Sequence, residues 1–61
     1  MKYSLKELRA RHNLTMQNMA DRLGISYQTY FAWERNFGKV KLEKALQVAD
    51  ILGVTIDEIK H

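Results

Sequence analysis

The stretch "GISYQTYFAWERN" crowds four of the chain's six aromatic side chains into seven positions: Tyr27, Tyr30, Phe31 and Trp33. Among them stand an amide, Gln28, a small apolar residue, Ala32, and two charges, Glu34 and Arg35. These residue types do not pair a nucleophile with a base. They offer contact chemistry: apolar faces that pack, an amide that donates and accepts side by side, and a guanidinium that pairs with anions. The rest of the chain adds no reacting constellation. It has no Cys, which excludes a disulfide framework, a thiolate zinc site and a thiol nucleophile. His12 and His61 lie far apart, and neither has a second ligand at helical spacing. No metal site is expected, and His12 reads as solvated or partly packed. Asp57 and Glu58 are neighbours, but adjacent residues on a helix do not face each other, and acids suit a helix start. Neither an enzyme nor a cofactor is expected.

Charge placement says more than the net charge of +3. Residues 1–41 carry eight Lys or Arg against three acids, a balance of +5. Residues 42–61 carry two bases against four acids, a balance of −2. A basic first part suits a polyanionic partner, and a solvated surface is the plain alternative. With 61 residues there is room for one domain over 1–61, too small for a deep catalytic cleft. No apolar run approaches a membrane span, and no signal-peptide pattern opens the chain. A soluble, cytoplasmic (nucleoid-associated) protein is expected.

The elements that must hold these side chains read as short helices. Ser4 and Glu7 form a capping box that opens a helix running to about His12, with Leu5 and Leu8 on one face. Thr15 caps a second helix, Met16 to Leu23, and Gly24 ends it. Ser26 caps a third, Tyr27 to Asn36; the segment favours strand by residue type but does not alternate. A loop around Gly38 follows. Leu42, Ala45, Leu46, Ala49 and Leu52 make the apolar stripe of a fourth helix, ended by Gly53. Thr55 and Glu58 open a short fifth helix bearing Ile56 and Ile59. The expected fold is all-α: a five-helix domain with no sheet.

The second and third helices, joined through Gly24, have the layout of a helix-turn-helix. "LTMQNMADRLGIS", then "WE", then "LEKALQVADILGVTIDEI", resemble the Cro-and-repressor type of helix-turn-helix domain, over roughly Leu5 to Ile59. Small Ala20 suits close helix crossing, Gly24 suits a left-handed turn, and Ile25 suits an anchor for it. Two positions depart from that family. Met16 stands where relatives carry a phosphate-bonding Gln, and Tyr30 stands where they carry an aliphatic residue.

At about 100° per residue, Tyr30, Trp33 and Phe37 fall on one stripe, assigned to the core. Tyr27, Gln28, Phe31, Ala32 and Arg35 fall on the opposite stripe, assigned to solvent. Thr29 lies at the boundary, its hydroxyl within reach of Ser26. The resemblance implies that the outward stripe enters a DNA major groove. Gln28 then suits adenine, Phe31 and Ala32 suit thymine methyls, and Tyr27 suits a base or a phosphate. Thr15 and Gln17, at a helix start with free N–H groups, and the basic Arg35, Lys39 and Lys41 suit phosphates. The resemblance also implies an ion pair between Arg9 and Glu34. It implies a transcriptional regulator bound to a double-stranded operator as a homodimer. With room for one domain in 61 residues, no small-molecule effector is expected. Ile51, Val54, Ile56 and Ile59 are the candidate pairing surface. The rival reading is a protein-interaction module of the same fold, an antitoxin or adaptor, contacting its partner through Tyr27, Phe31 and Ile51.

Overall fold

Hydroxyl caps set where the chain turns helical. The computed structural model describes residues 2–60, so His61 lies outside the described residues. Ser4 Oγ accepts the Glu7 N–H and Glu7 Oε1 accepts the Ser4 N–H, each at 3.1 Å, opening α1 (Leu5–Arg11). Thr15 Oγ1 accepts the Asn18 N–H and Asn18 Oδ1 accepts the Thr15 N–H, both at 3.0 Å, opening α2 (Met16–Leu23). Ser26 Oγ accepts the Thr29 N–H at 3.1 Å and lies 2.9 Å from the Thr29 hydroxyl, opening α3 (Tyr27–Arg35). Each such cap contributes about 1 kcal/mol.

Two glycines end helices for a dihedral reason. Gly24 and Gly53 sit at φ 69° and 68°, and a Cβ on either would meet nothing within 4 Å. At each end the following N–H reaches back over the turn: Ile25 to the Ala20 carbonyl and Val54 to the Ala49 carbonyl, both at 3.0 Å. This is the Schellman closure of α2 and of α4 (Leu42–Leu52). Asn13, at φ 54°, turns the chain between α1 and α2.

The core gathers Leu5 and Leu8 from α1, Met19, Ala20 and Leu23 from α2, and Tyr30 from α3. Phe37, Ala45, Val48, Ala49, Leu52 and Ile59 complete it. Ala20 is fully buried, and α2 and α3 pack together at this level. His12 closes a distant edge: its Nε2 donates to the Leu52 carbonyl at 2.8 Å, satisfying one of the open acceptors at the end of α4.

Several expectations require correction. Among the described residues there are four α-helices, not five. The segment after Gly53 forms only the 3₁₀ turn Ile56–Glu58. Its continuation is pulled extended, because Ile59 bridges to Tyr3: the Tyr3 N–H donates to Glu58 and the Lys60 N–H to Tyr3, each at 2.8 Å. α1 stops at Arg11 and α3 at Arg35. Phe37–Lys39, expected as loop, is a second 3₁₀ turn that buries Phe37. On α4 the stripe is rotated: Val48 is buried, whereas Leu42 and Leu46 are 67% and 52% exposed. Trp33 packs against the core but is only partly buried.

Candidate nucleic-acid interface

The rotation of α3 decides what the domain presents. Tyr30 is 0% exposed, while Tyr27 and Phe31 are 39% and 42% exposed, and Gln28, Ala32 and Arg35 also face solvent. One side of the helix is therefore core and the other is an open ridge.

That rotation is fixed by an ion pair. The Arg9 guanidinium grips Glu34 with two N–H groups, Nε to Oε2 at 2.7 Å and Nη2 to Oε1 at 3.4 Å. Its remaining arm, Nη1, donates to the Leu14 carbonyl at 2.9 Å. One side chain thus ties α1, the turn before α2 and the end of α3 together. Both partners are mostly shielded, with side chains 15% and 11% exposed, so water competes weakly for the fork. The bond to Glu34 raises the Arg9 pKa above its ordinary value. Tyr30 comes up beside the same pair. Burial first, and the interaction of its hydroxyl with the nearby Glu34 carboxylate second, push its phenol well above the usual range, although no partner meets the hydroxyl at full hydrogen-bond geometry.

On the open ridge the rings of Tyr27 and Phe31 lie 6.4 Å apart at 29°. The Arg35 guanidinium sits over the Phe31 ring at 5.8 Å, so Arg35 stands at the ridge and not away from it. Two shallow hollows flank the ridge. Tyr27 walls one, with Arg9, Ala10, Asn13, Leu14, Thr15, Met16 and Gln17. Phe31 walls the other, with Ser4, Lys6, Arg9, Met16, Glu34 and Arg35. Thr15 and Gln17 are thus brought to the ridge, but differently from expected. The Thr15 N–H and hydroxyl are engaged by Asn18, and the Gln17 amide donates to Asp21 Oδ1 at 2.9 Å. What α2 offers outward at its start is the first-turn N–H groups of Met16 and Gln17, which no intrahelical carbonyl can accept. Lys39 and Lys41 are exposed on the segment after α3. Lys6 was missed as a ridge neighbour. Met16, which fits the apolar stripe of α2 but stands where relatives carry a phosphate-bonding Gln, lines both hollows.

Among the described residues no group of three or more His, Cys, Asp or Glu lies together to hold a metal ion. No described helix is long and apolar enough to cross a membrane.

Two helices at this crossing, a left-handed glycine between them and an outward ridge on the second make a helix-turn-helix. The sequence profile of the helix-turn-helix family matches residues 5–59. The chain belongs to this family, in its Cro-and-repressor type. It is 42% identical over 59 residues to an HTH-type transcriptional regulator of Methanocaldococcus jannaschii, covering 97% of this chain and 89% of that one. It is 38% identical over 55 residues to the HTH-type transcriptional regulator AnsR of Bacillus subtilis, covering 90% and 47%. It is 36% identical over 59 residues to the cryptic phage CTXphi transcriptional repressor RstR of Vibrio cholerae, covering 97% and 53%. The chain therefore spans nearly all of the archaeal relative and about half of the other two. No solved structure matches it significantly.

Proposed function

We propose that this helix-turn-helix protein is a sequence-specific, double-stranded DNA-binding transcriptional regulator, Cro-like or repressor-like, with α3 in the major groove. The supporting observation is the rotation of α3: Tyr30 buried, Tyr27, Gln28, Phe31 and Ala32 outward, and the whole clamped by Arg9 and Glu34. Gln28 reads a base edge, and Tyr27, Phe31 and Ala32 add contacts beside it. Arg35, Lys39, Lys41 and the start of α2, where Thr15 caps the helix and the Gln17 N–H has no intrahelical acceptor, hold phosphates, which give affinity and register but no sequence choice. Residues 1–61 act as one domain in the cytoplasm, associated with the nucleoid, and two copies occupy a two-fold operator without a small-molecule effector.

Selection of bound duplexes from a random pool tests this reading. A defined motif with two-fold symmetry and half-sites about one helical turn apart is the expected result. With about four phosphates neutralised per chain, each chain contributes a log–log salt slope near −3.6. A purified protein that retains no duplex even in dilute buffer would refute it.

The exposed Tyr27–Phe31 pair also favours a second reading, a docking site for a protein partner. Phe31→Ala separates the two. Loss of one tight protein partner with DNA retention unchanged would assign the ridge to protein.

A further inference from the structure

The chain's sulfur is unevenly placed. There is no Cys, and there are three Met. Met1 lies outside the described residues, Met19 is 0% exposed in the core, and Met16 is half-buried at the first turn of α2. Among the described residues, only Met16 and Arg9 line both hollows that flank the α3 ridge. Met16 shares one hollow with Gln17 and Tyr27, and the other with Lys6, Phe31 and Arg35. In sequence it stands between Thr15 and Gln17, at the start of α2. Its thioether is thus open to solvent and set among the groups that the DNA-binding reading turns toward the duplex. A thioether that solvent reaches is open to oxidation, and this chain has no thiol to compete for the oxidant. The product is a sulfoxide, polar where the thioether was apolar. Its oxygen accepts hydrogen bonds, but the group has no hydrogen to donate. A phosphate oxygen also only accepts, so the two repel when brought together. A glutamine side chain, of similar length, has an N–H to give.

We propose that Met16 is a reversible oxidation site, and that its sulfoxide weakens the hold on the duplex. The proposal rests on the DNA-binding reading above. In the step, the sulfur lone pair attacks one oxygen of a hydroperoxide. An S–O bond forms and the O–O bond breaks. The proton of the transferred oxygen passes to the leaving one, which departs as water when the oxidant is hydrogen peroxide. Sulfur loses two electrons and the peroxide gains them. A dithiol-dependent methionine sulfoxide reductase reverses the change, releasing the oxygen as water while its thiols close to a disulfide. The test treats the purified chain with hydrogen peroxide and follows the gain of one oxygen at each methionine by peptide mass mapping. Met16 should oxidise well ahead of Met19, which an opening of the core must first expose. Affinity for a duplex obtained by selection should fall by about tenfold, in step with oxidation of Met16, as expected for one polar group set against an acceptor. The reductase should restore it. Met16→Leu, whatever its starting affinity, should not respond to peroxide, and Met16→Gln should bind more tightly than the oxidised protein. Met19 oxidising as early as Met16 overturns the proposal, as does a peroxide response that survives in Met16→Leu. Circular dichroism and a urea midpoint follow the fold, and an oxidised domain that unfolds overturns it too, because the loss is then structural. Oxidised protein that holds the duplex as before overturns the switch and leaves the DNA-binding reading standing. If the reduced protein retains no duplex, that reading falls and the switch falls with it.

Discussion

Tyr30 and Phe31 are neighbours with opposite fates, and the difference is one step of about 100° around α3. Tyr30 goes under, and its hydroxyl arrives beside the Arg9–Glu34 pair without a hydrogen bond of its own. A buried hydroxyl whose contact with a carboxylate falls short of hydrogen-bond geometry recovers little of the hydration it gives up. Tyr30→Phe is therefore expected to leave the denaturation midpoint unchanged, or to raise stability by up to about 1 kcal/mol. A loss larger than that, measured by urea denaturation, would show that the hydroxyl bonds Glu34 after all. The ion pair behaves in the opposite way. Glu34→Gln leaves the shielded Arg9 fork without its anion and should destabilise by about 2–3 kcal/mol. Arg9→Met removes the grip on Leu14 as well, and a double-mutant cycle isolates the pair from that second bond. The inward and outward sets on α3 were legible because helical rotation alone separates them. The ion pair spans 25 residues and followed only from the family likeness, since no local pattern encodes a contact at that separation. The incomplete burial of Trp33 was not legible, because it depends on which neighbours close over the ring.

At the scale of elements, the starts of α1, α2 and α3 and the stops of α2 and α4 were written into the sequence by hydroxyl caps and glycines, which act within three or four residues. Gly24→Ala tests one such stop. The left-handed backbone costs a residue with a Cβ about 1–2 kcal/mol, and there is open space around the position. The expected loss, by thermal unfolding, is therefore the dihedral penalty alone. The caps also carry a pH signature. Hydrogen bonds from Ser4 to Glu7 and from Thr55 to Glu58, backbone first and hydroxyl second, hold both carboxyls below their ordinary value of 4.5. A depressed carboxyl stabilises the fold fully above its unfolded pKa and loses that contribution as pH falls through the folded one. The Ser4 and Thr55 amides should therefore exchange faster as pH drops below about 4.5, after correction for intrinsic rates. Glu7→Gln should remove that dependence at Ser4 only. Two features of the elements escaped the pattern. The α4 stripe fits two neighbouring rotations, and packing settled on Val48 beside the small Ala45 and Ala49, leaving Leu42 and Leu46 outside. The Thr55–Glu58 box marks a start but not a length, and the bridge from Ile59 to Tyr3 drew the rest of the segment out straight.

At the scale of the whole molecule, size and charge set the mode of binding proposed here. The domain measures 28 × 24 × 18 Å. Half-sites one helical turn apart are separated by about 34 Å, so a single copy cannot read both. The pairing surface expected from Ile51, Val54, Ile56 and Ile59 is largely spent on the core, since Ile59 is fully buried and the other three pack against it. Two copies on one duplex thus need not be a tight pair in free solution. Stoichiometry by analytical ultracentrifugation should show two chains on a full site and one on a half-site duplex. Charge placement gives the sharper test. Lys41, exposed at the start of α4 and close in sequence to the ridge helix, belongs to the basic first part of the chain. Lys44, one turn on, lies instead against the far end of α2, in a hollow with Asp21, Arg22 and Gly24. Both carry the same charge, so a nonspecific attraction between a cationic protein and a polyanion would register their loss alike. A phosphate contact would not. Lys41→Gln should reduce the log–log salt slope by about 0.9 per chain and weaken binding evenly across sequences, whereas Lys44→Gln should leave the slope unchanged. Equal effects from the two would mean that charge acts at a distance and that the domain has no fixed orientation on the duplex.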